Sequence, residues 1–425
     1  MKIHHFPNRE PALPPVDYAH LIREDRIHGS LYTSGQVFND EMEKIFYNGW
    51  VYVGHESEIP NPGDYLRRTI GLEQILLLRN KQGEVRVLSN RCAHRGNMIC
   101  NQEKGSAKSL RCQYHGWIYS LDGDLLDVPS PGGFKKDKAL MGLRHPAAME
   151  SYRGFVFAAL NTPPITLDQH LGRGKELLDR AIAMSPVQKL KLSAGWVKQQ
   201  FHANWKMLPE NDTDGYHVNF VHSSFAHTIN SQYDAATMMA EDEMVSETKD
   251  WGQGHTELYF SPSYKQPFEW LGVTADRVAE YVEQMNQAYG QEQAHKILLD
   301  GPPHAVIFPN LFLGEMNIVM FQPISANECV QWHTPMLLEG VPDSLNQRII
   351  RQSEAALGPS AFLLADDGVI SERQQVALQG ESAWLDLSRG LNREQEKDGV
   401  IHGHISDETT NRGFWKHYQK IMLAA

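Results

Sequence analysis

From Trp50 to about Asn161 the apolar residues come in short runs separated by turn residues, the pattern of strands rather than helices. Gln74–Asn80 and Glu84–Asn90 flank Lys81-Gln82-Gly83, which predicts a hairpin with Gly83 supplying the positive φ. Val85 and Val87 alternate with Glu84 and Arg86, as a half-buried strand requires. A second hairpin is expected around Asp122-Gly123, after Trp117–Leu121, and Phe155–Leu160 reads as a buried strand. Beyond Pro163-Pro164 the spacing changes. Leu167–Met184 and Thr274–Leu298 repeat their apolar positions at helical intervals; in the second, Val278, Tyr281, Val282, Met285, Ala288 and Tyr289 share a face and Thr274 is the expected N-cap. Ala305–Leu313, Asn317–Pro323 and Glu328–Leu338 read as antiparallel strands, and Ser344–Leu357 and Ala361–Leu378 as helices. The fold class expected is therefore α+β, a small all-β domain followed by a larger sheet flanked by helices.

Composition narrows the function classes only a little. The chain has 425 residues, room for two or three cores, with 41% hydrophobic and 22% charged residues, the profile of a globular protein. Net charge is −12 and the basic residues are scattered, so a nucleic-acid partner is not expected. No apolar run is long enough to span a bilayer, and the polar, proline-rich start MKIHHFPNREPALPP is not a secretory signal; a cytoplasmic protein is expected. Four cysteines (Cys92, Cys100, Cys112 and Cys329) are too few for a disulfide framework in so long a chain, and two of them have histidine neighbours at metal-ligand spacing.

Those two lie in RCAHRGNMICNQEKGSAKSLRCQYHGW. Cys92-x-His94 and Cys112-x-x-His115 each offer one thiolate and one imidazole on a tight loop. Facing each other, they suit a [2Fe–2S] cluster whose two irons differ in ligand type, because replacing thiolates by neutral imidazoles raises the reduction potential. Two Cys and two His also suffice for a zinc cage. Zinc sites more often pair like with like, so the mixed pairs favour the cluster. Cys100 and Cys329 read as ordinary buried cysteines.

A second constellation follows in NWKMLPENDTDGYHVNFVH, with Asn211, Asp214, His217 and His222. His217 and His222 are five apart, about 140° around a regular helix, so the segment must bend, end or bulge for both to reach one ion. Two imidazoles and one carboxylate form a facial triad that binds Fe(II) and leaves positions open. The carboxylate is sought in AFLLADDGVISERQQ, where Asp366 and Asp367 point about 100° apart on a helix, so that one of them reaches the metal.

The pattern CxHRG…CxYHGW, followed by NWK…ENxxDGYHxxxxH and a closing Asp-Asp, resembles the large (α) subunits of Rieske non-haem iron ring-hydroxylating oxygenases over nearly the whole chain. The resemblance implies an N-terminal helical segment over 1–45 packed on the catalytic domain, a Rieske domain over 46–163 and a helix-grip catalytic domain over 164–425. It implies a [2Fe–2S] cluster on Cys92, His94, Cys112 and His115, mononuclear Fe(II) on His217, His222 and Asp367, and Asn211 near that iron. It also implies that Asp214 links His217 to His115 of a neighbouring subunit in an α₃ or α₃β₃ assembly. NADH-derived electrons would arrive through a reductase or ferredoxin, and O₂ would be used to hydroxylate an aromatic substrate, an aromatic acid by the ENxxDGYH spelling. A Rieske monooxygenase or O-demethylase, a non-catalytic Rieske carrier and a zinc-stabilised module are the alternatives. Met207, Phe220, Phe312 and Phe321 are candidate pocket walls.

Overall fold

The computed structural model describes residues 15–133, 137–229, 245–381 and 383–424. Strands pair antiparallel throughout. In the first part, Glu73–Arg79 sits between Asp64–Ile70 and Val85–Ser89, with Leu77 opposite Val87 and Gly83 at φ +84° in the turn. Lys104–Ser106 completes this four-stranded sheet. A three-stranded sheet of Ala148–Tyr152, Phe155–Ala159 and Val51–His55 lies beside it, its central strand wholly buried. A third sheet, Leu110–Arg111, Ile118–Tyr119 and Leu125–Asp127, carries the Asp122-Gly123 hairpin.

The larger part is built on one nine-stranded sheet. Its spatial order is Val197–Phe201, Glu328–Pro335, Asn317–Ser325, Leu311–Gly314, His304–Ile307, His255–Tyr259, Glu247–Gly252, Val400–His404 and Gln395–Lys397. Helix Asp343–Leu357 packs on strand Glu328–Pro335, helix Leu363–Ala377 on Val197–Phe201, and helix Thr409–Leu423 on Glu247–Gly252 and His255–Tyr259. A small β-rich part joined to a sheet with helices against it is the α+β architecture the apolar spacing predicts.

Three expectations need correction. Ala305–Leu313 is a hairpin, not a strand: Pro309 has no N–H for a ladder, and the chain turns between His304–Ile307 and Leu311–Gly314. Thr274–Leu298 is two helices, Ala279–Tyr289 and Gln291–Asp300, separated by Gly290 at φ +79°; a 3-10 turn, Ala275–Val278, precedes them, Thr274 makes no side-chain cap and Ala288 is exposed. Leu167–Met184 likewise divides into Leu167–Leu171 and Lys175–Ala183 around a 3-10 turn.

A buried ion pair fixes the start of the segment that matters most. Glu41 and Lys206 are both fully buried, and Lys206 Nζ donates to Glu41 Oε1 at 2.5 Å. Trp205 Nε1 and Tyr418 Oη also donate to Glu41, at 2.9 and 2.7 Å, and Lys206 Nζ reaches Asn204 Oδ1 at 2.8 Å. Asn204 Nδ2 in turn donates to the carbonyls of Tyr32 and Ala326. The network ties the N-terminal segment and the C-terminal helix to Asn204-Trp205-Lys206, directly before helix Met207–Asp212. Removing one partner of such a pair typically costs about 3–5 kcal/mol, because the other charge is left buried. The first fourteen residues of the expected 1–45 segment lie outside the described residues. Among the described residues no helix is long and apolar enough to cross a membrane.

Candidate metal centres

Cys92 and Cys112 head two loops built alike. In each, the cysteine N–H donates to the carbonyl five residues on, at Asn97 and Trp117, and the N–H of the fourth residue, Gly96 or Gly116, donates back to the cysteine carbonyl. Both glycines have a left-handed φ, +75° and +74°, which a side chain would strain. His94 and His115 project from these loops with ring centroids 4.6 Å apart, and His94 stacks on Trp117. Both cysteines are buried and unbridged. Burial raises the Cys112 pKa, but the Tyr114 N–H, the Cys92 thiol and the N–H groups of His115 and Asn97 outweigh it, holding the thiol below its ordinary value; burial dominates at Cys92, which is raised although Tyr119 Oη lies 3.1 Å from its sulfur.

The four donors do not draw in around one point. Among the described residues, the groups of three or more His, Cys, Asp or Glu ligand atoms within 4.8 Å of one another comprise His217, His222 and Asp367 alone. A tetrahedral zinc ion needs its donors about 3.3–3.8 Å apart. The wider spacing at Cys92, His94, Cys112 and His115 suits a polynuclear cluster better than a single ion. Cys100 is buried close to this region and Cys329 inside the large sheet.

The second centre comes from a broken helix. Helix Met207–Asp212 ends, and Asp214 Oδ1 accepts the N–H groups of Tyr216 and His217, which starts a single turn, Val218–Val221. That turn stops at His222, and a new helix, Ser223–Ile229, follows. The interruption brings the two histidine side chains together: their Nε2 atoms are 3.3 Å apart. Asp367 arrives from helix Leu363–Ala377. The next residue, Gly368, permits that approach, since a Cβ there would lie 2.3 Å from the Phe201 ring. Asp367 Oδ1 lies 3.5 Å from His217 Nε2 and 3.3 Å from His222 Nε2, buried and without a hydrogen bond. Asp366 faces outward and accepts from Ser224 Oγ at 3.3 Å.

Donors about 2.1 Å from one ion, at angles of 90–110°, lie about 3.0–3.4 Å apart. The near-equilateral triangle of 3.3, 3.5 and 3.3 Å fits such an ion. Charge agrees with geometry. Burial disfavours a proton on His217, yet Asp214 and Asp367 outweigh it and push the pKa up to about 10, whereas burial lowers His222. The two carboxylates thus favour positive charge at His217.

The triad opens on a cavity of about 380 Å³. Asn211, Asp212 and Asp214 line it on one side, and Phe225, Leu258, Phe260, Phe312 and Leu363 form apolar wall. Of the four expected wall residues only Phe312 is present. Met207 and Phe321 are in the core and Phe220 is 54% exposed. Sequence reasoning missed His304 and Glu315, which also line the cavity; neither sits in a local pattern that marks a site. No Lys or Arg is among the described lining residues; the polar ones include Asn211, Asn219 and Asn317.

Residues 49–141 match the model of the Rieske [2Fe-2S] domain, and residues 188–424 that of the ring hydroxylating alpha subunit catalytic domain. The large subunit of anthranilate 1,2-dioxygenase from Acinetobacter baylyi is 30% identical over 87% of this chain and 81% of its own length. That of 2-halobenzoate 1,2-dioxygenase from Burkholderia cepacia is 29% identical over 86% and 80%. A naphthalene 1,2-dioxygenase variant solved with phenanthrene superposes with a TM-score of 0.83 at 26% identity, covering 96% of each chain.

Proposed function

The chain belongs to the family of ring-hydroxylating oxygenase α subunits, and from that premise we propose that it uses two iron centres to hydroxylate an aromatic ring with O₂. The reading rests most heavily on one observation, the triangle of His217 Nε2, His222 Nε2 and Asp367 Oδ1 on the cavity wall. Those residues hold Fe(II), and Cys92, His94, Cys112 and His115 hold the [2Fe–2S] cluster. When bound, these groups supply the electron transfer and oxygen activation that side chains cannot.

The protein's own part is orientation and exclusion. Asp214 Oδ2 lies 3.7 Å from His217 Nδ1, so its charge sits beside one edge of the ring while Nε2 on the other edge faces Asp367. The interrupted helix fixes both rings, and Asp367 supplies charge without blocking the cavity side. Phe225, Phe260 and Phe312 hold a flat ring and keep water out. Asn211 lies on the same wall, beside the metal-binding turn.

The cluster that Cys92, His94, Cys112 and His115 would hold would supply NADH-derived electrons, received from a reductase or ferredoxin, to the iron site of a neighbouring subunit in a ring of three, with or without a β subunit. Exposed surface supports this arrangement. Tyr114, beside His115, is 53% exposed, and Tyr216 and Phe220, on either side of His217, are 40% and 54% exposed. Large apolar groups at both sites suit contact surfaces.

Turnover tests the reading. A panel of small aromatics is incubated with a surrogate reductase and isotope-labelled O₂, and products are analysed by mass. Label in a hydroxylated product is expected. Preparations carrying both centres that leave every ring unlabelled would overturn it.

A further inference from the structure

The cavity wall around His304 has a chemistry that the metal site does not use. His304 Nε2 donates to the Asp212 carbonyl at 2.8 Å, which fixes the tautomer and leaves Nδ1 as an acceptor; that atom is buried and has no hydrogen bond. The ring is held edge-on between Phe260 and Phe312, with centroids 5.3 and 4.9 Å away. Burial drives its pKa down to about 4, so the lone pair persists at neutral pH. Across the hairpin, where His304 pairs with Gly314, Glu315 occupies a left-handed turn position at φ +54°, its N–H bonded to the Pro303 carbonyl. No hydrogen bond or ion pair to the Glu315 carboxyl occurs among the described residues, and burial alone pushes its pKa up to about 7. Asp212 Oδ2 is also buried without a partner, on a carboxyl whose pKa burial holds well above its ordinary value.

Buried acceptors left unmatched cost free energy, and a ligand that supplies hydrogens recovers it. Around His304 the cavity therefore presents an imidazole lone pair and a carboxyl, where an aromatic carboxylate would need a cation. Lys and Arg are missing from its described lining, and the sequence of residues 230–244 contains neither. A carboxylate placed beside Glu315 would bring a charge into a desolvated space with no cation to meet it.

Resting on the oxygenase reading above, we propose that the substrate is an aromatic amine, its N–H group held between Glu315 and His304 and its ring lying along Phe260 and Phe312 toward the metal triad. Glu315 is then the residue that sets specificity, selecting for the nitrogen and against acids.

Calorimetric binding to the intact holoprotein tests this without turnover. The probes share one bicyclic ring: 1-naphthylamine, 1-naphthol, 1-methylnaphthalene and 1-naphthoate. The amine is expected to bind about tenfold or more tighter than the methyl compound and the acid. Glu315→Gln should remove about tenfold of that advantage while leaving the methyl compound unchanged. Naphthoate or naphthol binding as tightly as the amine would overturn the proposal, and so would an unaltered amine affinity in Glu315→Gln. The ranking on the unmodified protein needs no variant to fold. Iron content and the visible spectrum of the same samples report on the oxygenase reading separately, so the two can fail independently.

Discussion

Asp214 Oδ2 lies 3.7 Å from Nδ1 of His217, on the side of the ring opposite the nitrogen that faces Asp367. Its other oxygen is already taken by the backbone N–H groups of Tyr216 and His217, at 2.6 and 3.3 Å. One carboxylate thus caps a helical turn and orients a candidate ligand, and its side chain is still 25% exposed, open to a partner.

Asp214→Asn should keep both metal centres yet lower turnover by about 10–100-fold or more, the usual loss when a group supporting a metal ligand is removed. Rapid-mixing measurement of cluster reoxidation shows where the loss falls. Near-normal reoxidation and turnover would contradict the linking role.

Asp367 and Asp366 are adjacent but face different ways. Asp367→Ala should lose the mononuclear iron and keep the visible spectrum of the cluster, because one of three ligands has gone. Asp366→Ala removes a bond to Ser224 and should retain that iron. Metal analysis of the two variants checks this; the reverse pattern would show that the carboxylates had been assigned the wrong way round.

His255 carries a pH dependence that can be measured. Its Nε2–H donates to the His170 carbonyl at 2.9 Å and its Nδ1 accepts the Phe308 N–H at 3.0 Å, so the fully buried neutral ring has no place for a second proton. Burial lowers its pKa from 6.5 to about 4. Between those values the unfolded chain binds a proton that the folded chain does not, so the stability from this residue falls as pH falls, by up to about 1.4 kcal/mol per pH unit. His255→Asn should lower Tm at pH 7, and the gap to the unmodified protein should narrow at pH 5. A gap that stays constant or widens on acidification would contradict the assignment.

Local pattern made part of this molecule legible. The hairpin at Lys81-Gln82-Gly83 follows from alternation and one glycine, and the two cysteine loops from residues a few positions apart. The break between His217 and His222 follows from a spacing that a regular helix cannot satisfy. Other features have no local signature. Gly290 interrupts an apolar stripe that continues on both sides, so periodicity alone joins the two helices. Phe220 and Met207 sit in the same stretch as the histidines, but the helix break turns one outward and burial draws the other into the core. Glu315 reaches the cavity only because a hairpin folds back on His304, and a tertiary contact of that kind leaves no periodic trace.

On the oxygenase reading one chain holds a two-iron cluster on Cys92, His94, Cys112 and His115 and a separate ion on His217, His222 and Asp367. Iron and acid-labile sulfide analysis of the purified protein tests it most directly, run beside His217→Ala. The expected result is three irons and two sulfides per chain, with one iron and no sulfide lost in the variant. Zinc without sulfide, or a variant whose iron content equals that of the unmodified protein, would contradict it.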